Sequence, residues 1–287
     1  KQCLVGILFD GIKKLPPVEV GMSKDLLLQW MLQCQMLEKA NVRLNDAAIQ
    51  VSEWFRKKGF RTCILKGQGN ALMYPNPYSH TPGDIDIWVE GGDKRVISFV
   101  RSISPHEKAC YHHVEFPSYK GVEVEVHYRP SFLLCFWHNR KLQKYYERVK
   151  EEQFSHRVML GEQGEIAIPT AEFNLIFQLT HIFSHLMNEG IGLRQLLDYY
   201  YVLISDDLLL IRDRVQKELK ELGLWKFAGA IMYIMQEVFG MPASRLIVPP
   251  NEKYGKFVLN EVLEAGNFGK HDARNRFGRS QLGHNLQ

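Results

Sequence analysis

From residue 23 to residue 58 the apolar positions recur at helical spacing. Leu44, Ala48, Val51 and Phe55 fall on one face, and Gly59 is placed to end the run. The length of this segment predicts two helices rather than one. The period then changes. Thr62 to Leu65 reads as a short buried strand, Lys66 to Gly69 as a loop, and Asn70 as the cap of a helix running to Tyr74, before the Pro75-Asn76-Pro77 cluster forces an irregular excursion. Ile85, Ile87 and Val89 alternate with Asp84, Asp86 and Trp88, a period of two that predicts a strand with both acids on one face. Asp93 to Ser102 reads as a helix. Tyr111 to Phe116 and Val122 to Tyr128 read as a strand pair turned at Lys120-Gly121, with Val122, Val124 and Val126 on one face and Glu123, Glu125 and His127 on the other.

Beyond Arg140 helical periodicity dominates, broken by a hairpin around Gly161 to Gly164. Helices are expected over Thr170 to Asn188, Leu193 to Ser205, two stretches ending at Gly223 and Gly240, and Glu252 to Ala265. The pattern predicts an α+β fold: a helical arm over residues 1–59, a small mixed sheet with helices over 60–135, and a mainly helical region over 136–287. There is no internal repeat and no low-complexity block.

Composition changes this picture little. The 287 residues carry 36 Lys plus Arg against 32 Asp plus Glu, and a net charge of +4 is too mild to announce a nucleic-acid binder. Much of the excess is local, since Lys270, Arg274, Arg276 and Arg279 face only Asp272. That tail, with Phe268 and Phe277, could touch an RNA or a phosphate-bearing acceptor, but a solvated or poorly ordered terminus is the better account. Five scattered cysteines without C-x-x-C spacing point to neither a disulfide framework nor a zinc site, and fit a reducing cytoplasm. No apolar stretch reaches the roughly 18 residues that a membrane-spanning helix needs.

The chemistry is concentrated in one stretch, LKGQGNALMYPNPYSHTPGDIDIWV, residues 65 to 89. Two residues apart on a strand, Asp84 and Asp86 have Cα atoms roughly 6.6 Å apart and side chains on the same side. Such a pair can hold a hard cation, and magnesium, which takes oxygen ligands and keeps several waters, is the natural candidate. Glu125 on a nearby strand could supply a third carboxylate, with Glu123 its substitute in another register. An alternating pair of acids on its own describes a solvated strand face equally well. The loop before it shifts the reading: Gly67 and Gly69 permit close backbone approach to an anion, the following helix offers free N–H groups, and Lys66 adds a cation. The Walker pattern is excluded because the lysine precedes the glycines, and the dinucleotide fingerprint is excluded because Leu72 stands where a third glycine is required.

Strand, glycine loop, helix, D-x-D strand and a later acidic strand, in that order, resemble the nucleotidyltransferase fold of the DNA polymerase β type. In that fold a glycine-containing turn holds a triphosphate and three carboxylates hold two magnesium ions. More narrowly, LKGQGNALMYP, GDIDIWV, VEVEVHYRP and GLRQLLDYY are similar to an uncharacterised bacterial nucleotidyltransferase family, over about Leu65 to Tyr200. The resemblance implies metal binding and catalysis by Asp84, Asp86 and Glu125. It implies nucleotide binding by Lys66, Gly67, Gln68 and Gly69, with Arg194, one turn before Asp198, reaching a phosphate. This chain has Lys66-Gly67-Gln68 where the superfamily usually has Gly-Ser or Gly-Gly, and His80 where relatives often have arginine. The implied reaction is magnesium-dependent transfer of a nucleoside monophosphate from a triphosphate to an acceptor hydroxyl, on a small molecule, a tRNA end or a protein; DNA and membrane partners are not expected. A degenerate nucleotide-binding scaffold and a metal-dependent phosphohydrolase are the alternatives.

Other signals carry less. His181 and His185 stand four apart on a helix, but Ile182 occupies the position of a zinc-protease glutamate, and a structural or pocket role is favoured. His112 and His113 are neighbours on an expected strand, so at most one of them, His113, should face the site. Tyr199 to Tyr201, Trp54, Phe55 and the Met232 to Met235 helix read as core.

Overall fold

Ser23 begins the longest element. Its hydroxyl accepts a hydrogen bond from the Leu26 amide at 3.3 Å, Asp25 lies in the first turn, and Arg56 and Lys57 lie in the last, complementing the helix dipole at both ends. The computed structural model describes residues 2–266 except 17, 18, 20, 163 and 206. In it, helix α2 (Lys24–Lys57) is one continuous element of 34 residues rather than the two helices expected. Neither proline nor glycine stands between its ends, so nothing breaks the backbone ladder. Only its second half, from Asn41 on, enters the core; Leu28, Leu32 and Met36 in the first half are exposed. A short helix α1 (Val5–Ile12) packs on that first half, with Phe9 against Trp30 and the Trp30 indole donating to the Val5 carbonyl at 3.0 Å.

Strands β1 (Thr62–Ile64), β2 (Ile85–Val89), β3 (His113–Tyr119) and β4 (Val122–His127) form a mixed sheet in the order β1-β2-β4-β3. β1 runs antiparallel to β2, β2 parallel to β4, and β4 antiparallel to β3. Helix α3 (Gln68–Ala71) and a 3₁₀ turn (Pro77–Ser79) lie between β1 and β2, and α4 (Gly92–Ile103) follows β2. Ile64, Ile85, Ile87, Val89, Val124 and Val126 build one core with Leu44, Val51 and Phe55 of α2 and with Val96 and Val100 of α4. On the opposite face Trp88 stacks on Phe173 at 5.8 Å between ring centres and lies 4.6 Å from Phe154. Arg61, just before β1, forks onto two carboxylates, meeting Glu90 at 2.7 and 2.8 Å and Glu151 at 2.8 and 2.9 Å.

The rest is helical apart from the expected hairpin, β5 (Arg157–Met159) against β6 (Glu165–Ala167). The helices are α5 (Phe136–Ser155), α6 (Ala171–Asn188), α7 (Leu193–Leu203), α8 (Leu208–Glu221), α9 (Trp225–Phe239) and α10 (Glu252–Ala265). Gly190, Gly223 and Gly240 follow the ends of α6, α8 and α9 with positive φ, as expected of helix stops. Two compact units result. One comprises Leu4–Ser131 and Gln143–Phe173 and contains the sheet; the other comprises Gln2 and Cys3, Phe132–Leu142 and the described residues from Asn174 on. Within the second, Tyr199 is fully buried and donates to the Leu175 carbonyl at 3.1 Å, and Met232 and Met235 are core. His181 stacks on Phe177 and His185 meets Glu189 at 3.1 Å, both ordinary packing roles. The basic tail from Lys270 to Arg279 lies outside the described residues. Among the described residues no helix is long and apolar enough to cross a membrane.

Candidate active site

Because β2 and β4 are parallel and in register, Asp86 stands beside Glu125, and both project from the sheet face opposite the aliphatic core. Asp84, just before β2, shares their side. One oxygen from each of Asp84, Asp86 and Glu125 lies within 4.8 Å of the others. This register selects Glu125 over Glu123, which is exposed.

Asp86 is 3% exposed and shares one oxygen, Oδ1, between two cationic groups: Lys66 Nζ at 2.9 Å and His127 Nε2 at 3.0 Å. Nε2 of His127 also lies 3.4 Å from Glu125, and His113 Nδ1 approaches the same Glu125 oxygen at 3.4 Å. Burial opposes ionisation of Asp86, yet Lys66 and His127 outweigh it and hold the carboxyl well below its ordinary range. Asp84 moves the other way. The neighbouring Asp86 charge and then burial push it up to about 6. Burial alone would lower His127, but hydrogen bonds to Asp86 and Glu125 push it up to about 9. Lys66 likewise stays above its ordinary value against burial because Asp86, Asp84 and Glu125 surround it.

The loop between β1 and α3 comes to the acids through the backbone, with the Leu65 amide donating to the Asp86 carbonyl at 2.9 Å. Gly67 adopts φ 57°, ψ −104°, a conformation that side chains rarely allow, and lies against the backbone of Asp84. Gly67, not Asn70, precedes the helix, which begins at Gln68. Gln68 turns its side chain inward and donates to Asn45 of α2, while Asn41 one turn earlier donates to the carbonyls of Tyr78 and His80 at 3.0 and 2.8 Å. Gly69 owes its identity to packing: a Cβ there would stand 3.0 Å from Cγ2 of Ile168. His80 is 1% exposed, edge-on to Tyr74, and so takes no surface position. Arg194 lies on α7 in the other unit.

The two histidines at the start of β3 depart from expectation. His112 falls in a bend before the strand begins, so the alternation of strand faces does not separate it from His113. Both rings cluster with His127, at 5.4 and 5.3 Å between ring centres. Cys110 joins them, its Sγ 3.4 Å from His112 Nδ1. Partial covering raises the Cys110 thiol, but hydrogen bonds to His112 and His113 prevail and bring it down to about 5. Beyond Cys110 a shallow groove of about 870 Å³ is lined by Lys94, Arg101, Tyr111, Tyr128 and Arg129.

A family described as uncharacterised nucleotidyltransferase matches residues 1–240. The chain belongs to that family. Membership supports a general role in nucleotidyl transfer and implies a nucleotide substrate. No curated protein matches the sequence. Among solved structures it is similar to an antigenic nucleotidyltransferase-like protein from Paracoccidioides brasiliensis, at 12% identity over 72% of this chain and 94% of that one, with a TM-score of 0.37.

Proposed function

We propose that the protein is a magnesium-dependent nucleotidyltransferase that moves a nucleoside monophosphate from a nucleoside triphosphate to an acceptor hydroxyl and releases pyrophosphate. The observation that carries this reading is the convergence of three carboxylate oxygens, from Asp84, Asp86 and Glu125, within 4.8 Å of one another beside a lysine-glycine loop. All-oxygen donors of this charge fit magnesium and fit softer metals poorly. Bound by these three residues, magnesium supplies charge neutralisation and orientation for phosphate oxygens.

The chain's own residues do the rest. Gly67 exposes backbone to the phosphates, and Lys66, whose ammonium now rests on Asp86, is within reach of the same region as an anion-holding group. Attack by the acceptor oxygen on the α-phosphorus forms one P–O bond as the bond to the β-phosphate bridging oxygen breaks, and pyrophosphate leaves. Glu125 takes the acceptor's proton.

Calorimetric titration with each of the four common nucleoside triphosphates, with and without magnesium, tests the proposal. The expected result is magnesium-dependent binding of at least one nucleotide, weakened more than about tenfold in Asp84→Asn/Asp86→Asn. Glu125→Gln, at a half-exposed position, should show the same loss where the double variant folds poorly. Binding unchanged in these variants, or no binding by folded wild-type protein, overturns it.

A further inference from the structure

We propose that Cys110, His112 and His113 form a binding site for one divalent transition-metal ion of the zinc type, beside the carboxylate site, whose Glu125 lies 3.4 Å from His113 Nδ1. One ligand atom from each of the three lies within 4.8 Å of the others. The His112 imidazole stands between its neighbours, with Nδ1 3.4 Å from Cys110 Sγ and Nε2 3.1 Å from His113 Nδ1. Around tetrahedral zinc, with Zn–S about 2.3 Å and Zn–N about 2.0–2.1 Å, ligand atoms stand roughly 3.3 to 3.6 Å apart. One ion takes only one of the two His112 nitrogens, and since the three ligand atoms already lie within 4.8 Å of one another, side-chain rotation of about an ångström at the tips closes the set.

The backbone beneath these side chains is already fixed. The Cys110 amide donates to the His113 carbonyl at 2.9 Å, and the His112 carbonyl accepts from the amides of Tyr128 and Arg129 at 3.0 and 3.1 Å. Tyr128 Oη donates to the Cys110 carbonyl, and Ala109 bridges Val114. A ligand turn pinned on both sides needs little ordering when an ion arrives. The donor set also separates this site chemically from the carboxylates: one sulfur and two imidazole nitrogens select zinc and its neighbours and reject magnesium. Cys110 is a free, exposed thiol at the edge of the shallow groove, which gives the ion a path from solvent. Three protein ligands leave one coordination position for water or a bound donor.

Anaerobic titration of reduced, chelator-stripped full-length protein with cobalt(II), followed by zinc displacement, tests the site. Thiolate-to-cobalt charge-transfer absorption should saturate at one equivalent and disappear on adding zinc. Cys110→Ser should abolish it and His112→Ala should weaken binding at least about tenfold. Asp84→Asn/Asp86→Asn should leave it intact, so the test stands or falls apart from the transfer reaction. Absence of the band in wild-type protein with a native circular dichroism spectrum overturns the proposal. So does a band that survives Cys110→Ser, because another cysteine is then the ligand.

Discussion

Gly67 and Gly69 sit two residues apart in one loop, yet they are glycines for different reasons. Gly67 holds a positive φ beside Asp84, while Gly69 makes room for Ile168. Gly67→Ala should cost about 1–2 kcal/mol of stability from backbone strain alone. Gly69→Ala should also destabilise, but Ile168→Ala, which removes the clashing Cγ2, should recover part of that loss and should recover none of the loss at Gly67. A double-mutant cycle by urea denaturation separates the two. Lys66 makes a further point at this scale. Lys66→Met leaves buried Asp86 with His127 as its cationic partner, and the expected cost is about 3 kcal/mol, the low end for breaking a buried pair. A urea midpoint within error of wild type would show that the ion pair contributes nothing to the fold.

Among the elements, those with a strong local period were legible and those decided by neighbours were not. The alternation over residues 84 to 89, the turn at Lys120-Gly121 and the helix stops at Gly190, Gly223 and Gly240 all stand as the sequence pattern predicts. The continuity of α2 was missed because a run of 34 residues is longer than most globular helices, and length outweighed the absence of any proline or glycine to break it. His112 was assigned to a strand because nothing in the local sequence marks the bend set by hydrogen bonds from Tyr128 and Arg129. Within the candidate site, the gathering of Asp84, Asp86 and Glu125 on one side of the sheet was readable from the alternation. The pairing of Asp86 with Lys66 and His127 was not, because strand register joins residues 41 positions apart.

Helix α1 offers a test of its own attachment. Asp10 accepts hydrogen bonds from Ser79, from Lys13 at 3.0 Å and from Asn76 at 3.3 Å, and these hold its carboxyl below the ordinary value although burial opposes them. A depressed carboxyl contributes stability above its unfolded value, near about 4, and loses it as pH falls through the folded value. Amide exchange in α1, corrected for intrinsic rates, should therefore quicken as pH is taken from about 5 to 3 in wild-type protein. It should respond far less in Asp10→Asn.

For the whole molecule, the unit containing the sheet is assembled from two stretches of chain, and the second supplies the aromatic cover of Trp88 through Tyr146, Phe154 and Phe173. A chain ending at residue 135 lacks that cover and the Glu151 partner of Arg61. It should lose cooperative thermal unfolding and near-ultraviolet circular dichroism, which the full chain retains. A sharp transition in the short chain would show that the sheet needs nothing from beyond it.

The long helix also bears on how quickly a ligand can be received. Asn41 and Asn45, one turn apart on α2, grip the chain at residues 78 to 80 and at Gln68, so the glycine loop and the turn before β2 are fastened to a single rod. Parts fastened in this way move together or not at all. On the proposed reading the loop is a socket already cut to shape, not a flap that closes over its guest, and nucleotide capture should proceed in one fast phase with no slower ordering step behind it.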